Sequence, residues 1–114
     1  MSMHVVVETP TYLKAATALF SEAEMADIVT MIASNSDCGY VMQGTGGFRK
    51  VRVGRDGMGK RGGARIVYIL RNEFFPVFLI TAYSKNAKDN LSKAERNALR
   101  SRADEIFSNY REGR

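Results

Sequence analysis

The sequence predicts a small α+β fold with its elements in the order β-α-α-β-β-β-α, a mostly antiparallel sheet with helices packed on one side of it. Three observations carry that expectation. A β-branched opening run leads at once into two helical segments with apolar faces. Alternating stretches and one long apolar run follow, punctuated by turn residues, and Ser92 to Tyr110 then returns to helical periodicity. The 114 residues suit one domain spanning 1–114, long enough to bury roughly two thirds of the unfolded surface without staples.

Met3 to Glu8 reads as the first strand. Thr9-Pro10 supplies an N-cap followed by the residue best tolerated at the first helical position. Tyr12, Leu13, Ala16, Leu19 and Phe20 then share one helical face. Ser21 and Glu24 have capping-box spacing, and Met25, Ile28, Val29 and Ile32 continue at helical period, so the two helices form an antiparallel pair on the sheet. Asn35 to Gly39 is turn chemistry, with Tyr40 to Met42 a short extended piece after it. Gln43 to Gly47 is a glycine-rich loop. It lacks the Lys-Ser/Thr pair that opens a helix in a phosphate-binding loop, and a strand follows it, which excludes a nucleotide cradle.

Phe48 to Val53 alternates, with Phe48, Lys50 and Arg52 on one face and Arg49, Val51 and Val53 on the other. Gly54 to Gly63 reads as a loop, and Ala64 to Leu70 as the next strand, with Arg65, Val67 and Ile69 on one side. Whether Arg65 joins Lys50 and Arg52 depends on a register the sequence leaves open. After the turn Arg71-Asn72-Glu73, the run Phe74 to Tyr83 reads as a central strand buried on both faces, with Pro76 placing its start at an edge or bulge. Ser84 to Asn90 is a polar exit loop. Ser92 and Glu95 form a second capping box for a helix whose apolar face is Ala94, Ala98, Leu99, Ala103, Ile106, Phe107 and Tyr110.

Charge singles out one stretch. From Gly46 to Arg71 there are eight cations against one acid, a net of +7, while the rest of the chain has nine cations and eleven acids, a net of −2. The whole +5 excess is therefore local to a hairpin, which points to a polyphosphate partner such as nucleic acid. The plain alternative is a solvated hairpin whose charge keeps an edge from aggregating. With one cysteine, Cys38, and one histidine, His4, the chain suits neither a disulfide framework nor a closed metal shell, and no cofactor is expected. Cys38 reads as a small hydrophobe at a loop edge. No basic leader opens the chain and no apolar run is long enough to span a bilayer, so a cytoplasmic protein without membrane contact is expected.

The strand FRKVRV (48–53), the stretch GKRGGARIVY (59–68), and the block LITAYSKN (79–86) with Asn90-Leu91-Ser92 after it together resemble the RelE/ParE superfamily of bacterial toxins, in its HigB-like branch. The resemblance spans essentially the whole chain. It implies a toxin of a type II toxin-antitoxin system that enters the ribosomal decoding site and cleaves messenger RNA there, neutralised by a cognate antitoxin. Lys50 and Arg52 fall where the family has a basic strand pair. Arg65 falls where an arginine opens the following strand, and Lys85 where a cation follows the long apolar strand. The family's catalytic tyrosine near the C-terminal end falls at Leu91 or its neighbours, which leaves Tyr83 and Tyr68 as substitutes, Tyr68 with the alternative of a packed strand residue.

Independently of the resemblance, RNA cleavage by the ribose 2′-hydroxyl needs a proton acceptor, a proton donor and positive charge on the phosphorane. Without a histidine pair, lysine, arginine and tyrosine must supply these. Lys50 is then a proton-transfer or phosphate-stabilising group, Arg52 and Arg65 are phosphate clamps and Lys85 is a further cation at the cleft, while Tyr83 joins the catalytic set as what the resemblance implies. Arg55, Lys60 and Arg61 are expected to grip ribosomal RNA by counterion release. Arg49 and Lys88 join them as RNA-facing cations, although a solvated position suits either as well. Arg71 reads as ordinary surface charge. Two other readings keep the fold: a ParE-like poison of DNA gyrase, which would not need the Lys50/Arg52/Arg65 cluster, and a non-catalytic protein that binds RNA or an antitoxin.

Overall fold

The computed structural model describes residues 3–55, 59–84 and 92–112, with side chains described except at 55, 59–62 and 112. Its elements are β1 (Val6–Glu8), α1 (Pro10–Thr17), α2 (Glu22–Ser34), β2 (Tyr40–Val41), β3 (Phe48–Arg55), β4 (Gly59–Ile69), β5 (Val77–Ser84) and α3 (Lys93–Glu112). The five strands form one sheet in the order β1-β5-β4-β3-β2. Only β1 pairs in parallel, with β5; the other three pairings are antiparallel. The α+β class and the mostly antiparallel sheet are thus as the sequence predicts, with β2 added as a short edge strand.

The helix starts are set by local chemistry. Thr9 caps α1 by accepting from the Tyr12 backbone N–H at 3.2 Å, with Pro10 at the first helical position. At α2 the capping box is complete: the Ser21 hydroxyl accepts from Glu24 N at 3.1 Å and the Glu24 carboxylate accepts from Ser21 N at 2.8 Å. Ser92 and Glu95 repeat the arrangement at α3, with the same two distances.

The helices do not all lie on one side of the sheet. Alternation along β4 sends Ile66 and Tyr68 one way, against Tyr12 and Ala16 of α1 and Ile28 and Ile32 of α2, with Val77 and Leu79 of β5 completing that layer. Val67 and Ile69 point the other way and, with Phe48 and Phe78, pack against Ala103 and Phe107 of α3. Two cores on the two faces follow from the apolar content of both residue sets of β4 and β5, which no one-sided sheet could bury. On α3 the covered residues are Ala103 and Phe107, with Leu99, Ile106 and Tyr110 half-buried, whereas Ala94 and Ala98 are exposed.

Two other expectations change. The glycine-containing stretch 54–63 is mostly strand: β3 runs to Arg55 and β4 begins at Gly59, with Arg55 paired to Gly59 past a register shift after Val53. Cross-strand pairing here overrides the weak strand preference of glycine. At the other end, β5 starts at Val77 rather than Phe74. Phe74 is 79% exposed in the preceding turn, and Pro76, which has no N–H to give a ladder, stands just outside the strand.

The glycine-rich loop between β2 and β3 is a seat for α3. Gly46 and Gly47 adopt φ values of +78° and +116°, which side-chain-bearing residues rarely take, and a Cβ on Gly46 would lie in contact with Arg100 at 3.4 Å. Thr45, fully buried, closes the loop by donating to the Met42 carbonyl at 2.6 Å and accepting from Phe48 N at 3.2 Å. Arg71 is no ordinary surface charge. It pairs with Asp104 of α3 at 3.1 Å and lies 4.3 Å from the Phe107 ring centre, holding the helix down by charge and by its stacked guanidinium.

Candidate active site

The β3–β4 register supplies what the sequence leaves open. Arg52 pairs with Arg65 and Lys50 with Val67, so in this antiparallel ladder Lys50, Arg52 and Arg65 project from the same face. On the other side of β4, Arg65 pairs with Tyr83 of β5. One row across the three strands therefore reads Arg52, Arg65, Tyr83. Beyond β3, Tyr40 of β2 pairs with Lys50. Tyr40, Lys50, Arg52 and Arg65 line one cleft of about 390 Å³.

This is the α3 face of the sheet, but α3 covers the far end of the hairpin, over Phe48, Val67 and Ile69. The cationic end is left open. Lys50 and Arg65 are half-buried and Arg52 is exposed, while Tyr83 is half-buried at the margin of the α3 core. Arg52 also borders a neighbouring hollow with Glu24 and Asp27 of α2, so it stands between an acidic helix face and the cleft.

Like charges directly opposite each other on a sheet repel, so Arg52 and Arg65 form an arrangement that an anion would relieve. Arg65 adds a second sign of an anion site: its Nη1 is buried and, among the described residues, has no hydrogen-bond partner. A buried N–H left unpaired costs on the order of 1–3 kcal/mol, more when charged. A phosphate in the cleft would offset the charge, and a turn of the guanidinium that brings Nη1 to the surface would let a phosphate oxygen satisfy the donor as well.

Two sequence candidates have other occupations. Arg49 projects from the α1/α2 face, where its Nη1 donates to the Gly39 carbonyl at 2.8 Å and the Asp37 carbonyl at 3.3 Å. It fastens the turn before β2. Tyr68 is fully buried on that same face, its hydroxyl donating to the Ser36 carbonyl at 2.8 Å and accepting from Gly39 N at 2.9 Å. Burial pushes the Tyr68 phenol up, with the Cys38 thiol beside it adding to the effect, so it holds its proton at any physiological pH. A packed structural residue is what remains of Tyr68. Lys85 and Lys88 lie outside the described residues, as do the side chains of Arg55, Lys60 and Arg61.

Gly39 is held at this junction by lack of space. A Cβ there would fall 2.9 Å from both the Lys50 carbonyl and the Tyr68 hydroxyl. Gly39→Ala is expected to destabilise the fold by about 1–3 kcal/mol through this overpacking and to displace β2 from the cleft wall, a loss that urea unfolding would measure. An unchanged unfolding midpoint would show that the junction yields freely.

Tyr40 is the cleft residue that sequence reasoning missed. It is 81% exposed, and the only signal for it is an aromatic residue in an extended piece close to the basic strand. Nothing local says which strand it pairs with. Among the described residues no group of three His, Cys, Asp or Glu side chains could hold a metal, and no helix is long and apolar enough to cross a membrane.

Comparison with known proteins agrees with this fold. A structure of an E. coli RelE toxin double mutant in the free state superposes with a TM-score of 0.54 at 18% identity, covering 91% of this chain and 97% of that one. The family model described as the RelE toxin of the RelE/RelB toxin-antitoxin system matches residues 12–113, at the level of the family rather than of a HigB-like branch. This chain accordingly belongs to the RelE toxin family of toxin-antitoxin systems, and an antitoxin partner comes with that membership.

Proposed function

We propose that this toxin is an endoribonuclease that cuts messenger RNA on the ribosome, acting as a single domain through the cleft between Tyr40 and Arg65. The observation that carries the proposal is the juxtaposition of Arg52, Arg65 and Lys50 around one cleft, with a buried guanidinium N–H that has no partner among the described residues. Family membership supports the class of activity, and the cleft supports the choice of residues.

In the proposed reaction the ribose 2′-oxygen attacks the adjacent phosphorus and the bond to the 5′-oxygen of the next nucleotide breaks. The products are a 2′,3′-cyclic phosphate and a free 5′-hydroxyl, with one proton leaving the 2′-oxygen and one arriving at the 5′-oxygen. Arg52 and Arg65 hold the non-bridging oxygens, whose charge grows as the phosphorane forms, so the clamp is stronger in the transition state than on the substrate. Lys50, one residue pair along the same face, is within the cleft as a proton-transfer or phosphate-stabilising group. Tyr83, next to Arg65 in the row, contributes a phenol, and Lys85 follows it in the sequence as a further cation. Lys60 and Arg61, with Arg55 and Lys88, serve binding to ribosomal RNA; Arg49 contributes by holding the turn behind β2.

Induction of the toxin followed by pulse-labelling tests this reading. Translation should fail first, and primer extension should find new 5′-ends in messages only when ribosomes are present. DNA damage with translation intact would replace the nuclease by a gyrase poison, and toxicity without new RNA ends would leave only a binding protein.

A further inference from the structure

We propose that Tyr40 is a nucleobase platform, stacking the base attached to the phosphate that Arg52 and Arg65 hold; this rests on the anion-cleft reading above. Tyr40 is the largest exposed aromatic side chain on the cleft, 81% accessible, on a strand of only two residues. Its hydroxyl makes no hydrogen bond to a described residue, so neither burial nor polar bonding accounts for its position. The ladder does place it: as the partner of Lys50, it stands at the rim of the same opening as the three cations. β2 and β4 are two strand spacings apart, roughly 10 Å, and long arginine and tyrosine side chains reach inward across that gap. A nucleotide fits this separation with its phosphate over β3 and β4 and its base over β2.

The chemistry of the surroundings favours a base over other apolar groups. Cations beside an aromatic ring at an open cleft are the elements of single-strand recognition, where charge tracks the phosphates and π-faces accept bases with little regard to sequence. On this reading Tyr40 touches substrate, and it holds the nucleotide on the 3′ side of the cut so that its departing 5′-oxygen stands in line with the attacking 2′-oxygen of the preceding ribose.

The test uses adenosine 5′-monophosphate and ribose 5-phosphate, which differ in the base alone. The native chain should bind the nucleotide about tenfold more tightly than the sugar phosphate, measured by chemical-shift titration. Tyr40→Ala should bring the two affinities together without altering the sugar phosphate's, whereas Tyr40→Phe should retain the preference, because stacking needs the ring and not the hydroxyl. The chain contains no tryptophan, so Tyr40→Trp gives a single indole whose fluorescence the nucleotide should quench and ribose 5-phosphate should leave unchanged. Equal binding of both ligands by the native chain, or a preference that survives Tyr40→Ala, overturns the platform while the phosphate site stands. Failure of both ligands to bind overturns the phosphate site and the platform with it.

Discussion

Arg65→Ala is expected to restore growth to cells expressing the toxin and to lower cleavage of ribosome-bound messenger RNA on the order of 10²–10³-fold, the usual loss when one preorganised transition-state donor is removed. The same substitution should leave the melting temperature unchanged or raise it. Arg65 faces Arg52 across the ladder and carries a buried donor with no partner among the described residues, so the folded state loses a repulsion and an unsatisfied group along with the side chain's packing. Opposite movements of activity and stability are the signature of a group kept for chemistry rather than for folding. Arg52→Ala should lower cleavage alike. A variant that remains fully toxic, or one whose activity falls only in step with its stability, would remove Arg65 from the proposed site.

The largest loss of stability is expected at Phe107. Its ring is 3% exposed and meets Phe75 edge-on at 4.8 Å and Phe78 at 5.6 Å between centres, with the Arg71 guanidinium over its face. Phe107→Ala should cost about 3–5 kcal/mol, the transfer of the ring plus the cavity it leaves, a large share of the 5–15 kcal/mol typical of a whole domain. Urea unfolding would show it as a lower midpoint. The contrast is Arg102→Ala on the outer face of α3. That residue's ion pair with Glu105 is more than half exposed on both sides, and its loss should change stability by less than about 1 kcal/mol. If the two variants unfold alike, α3 is not anchored by the aromatic cluster.

The features that were legible in the sequence are local ones. Thr9-Pro10, Ser21 with Glu24, and Ser92 with Glu95 bond within three residues of themselves, so their helix starts could be read directly. The parity of β3 was equally plain, and it put Lys50 and Arg52 together. What escaped is non-local. Arg65 opposite Arg52, and Tyr40 opposite Lys50, are facts of register, which pairing across the sheet decides. The stretch 54–63 looked like a loop because glycine has little intrinsic strand preference, yet strand pairing extends into both of its ends. The placement of α3 opposite α1 and α2 was implicit in the apolar run to Tyr83: a strand buried on both sides requires a layer on each.

One further consequence comes from the way Arg52 and Arg65 are carried. Both belong to paired strands, where side-chain direction reverses at every step. The proposed catalytic constellation is accordingly sensitive to reading frame in a spatial sense. Gaining one amino acid between Val51 and Arg52 would turn the downstream cation toward the opposite layer with overall charge and composition nearly untouched. Residues at these sites can be exchanged one by one, whereas a single-residue insertion within the paired strand keeps the cations together only if a bulge absorbs it.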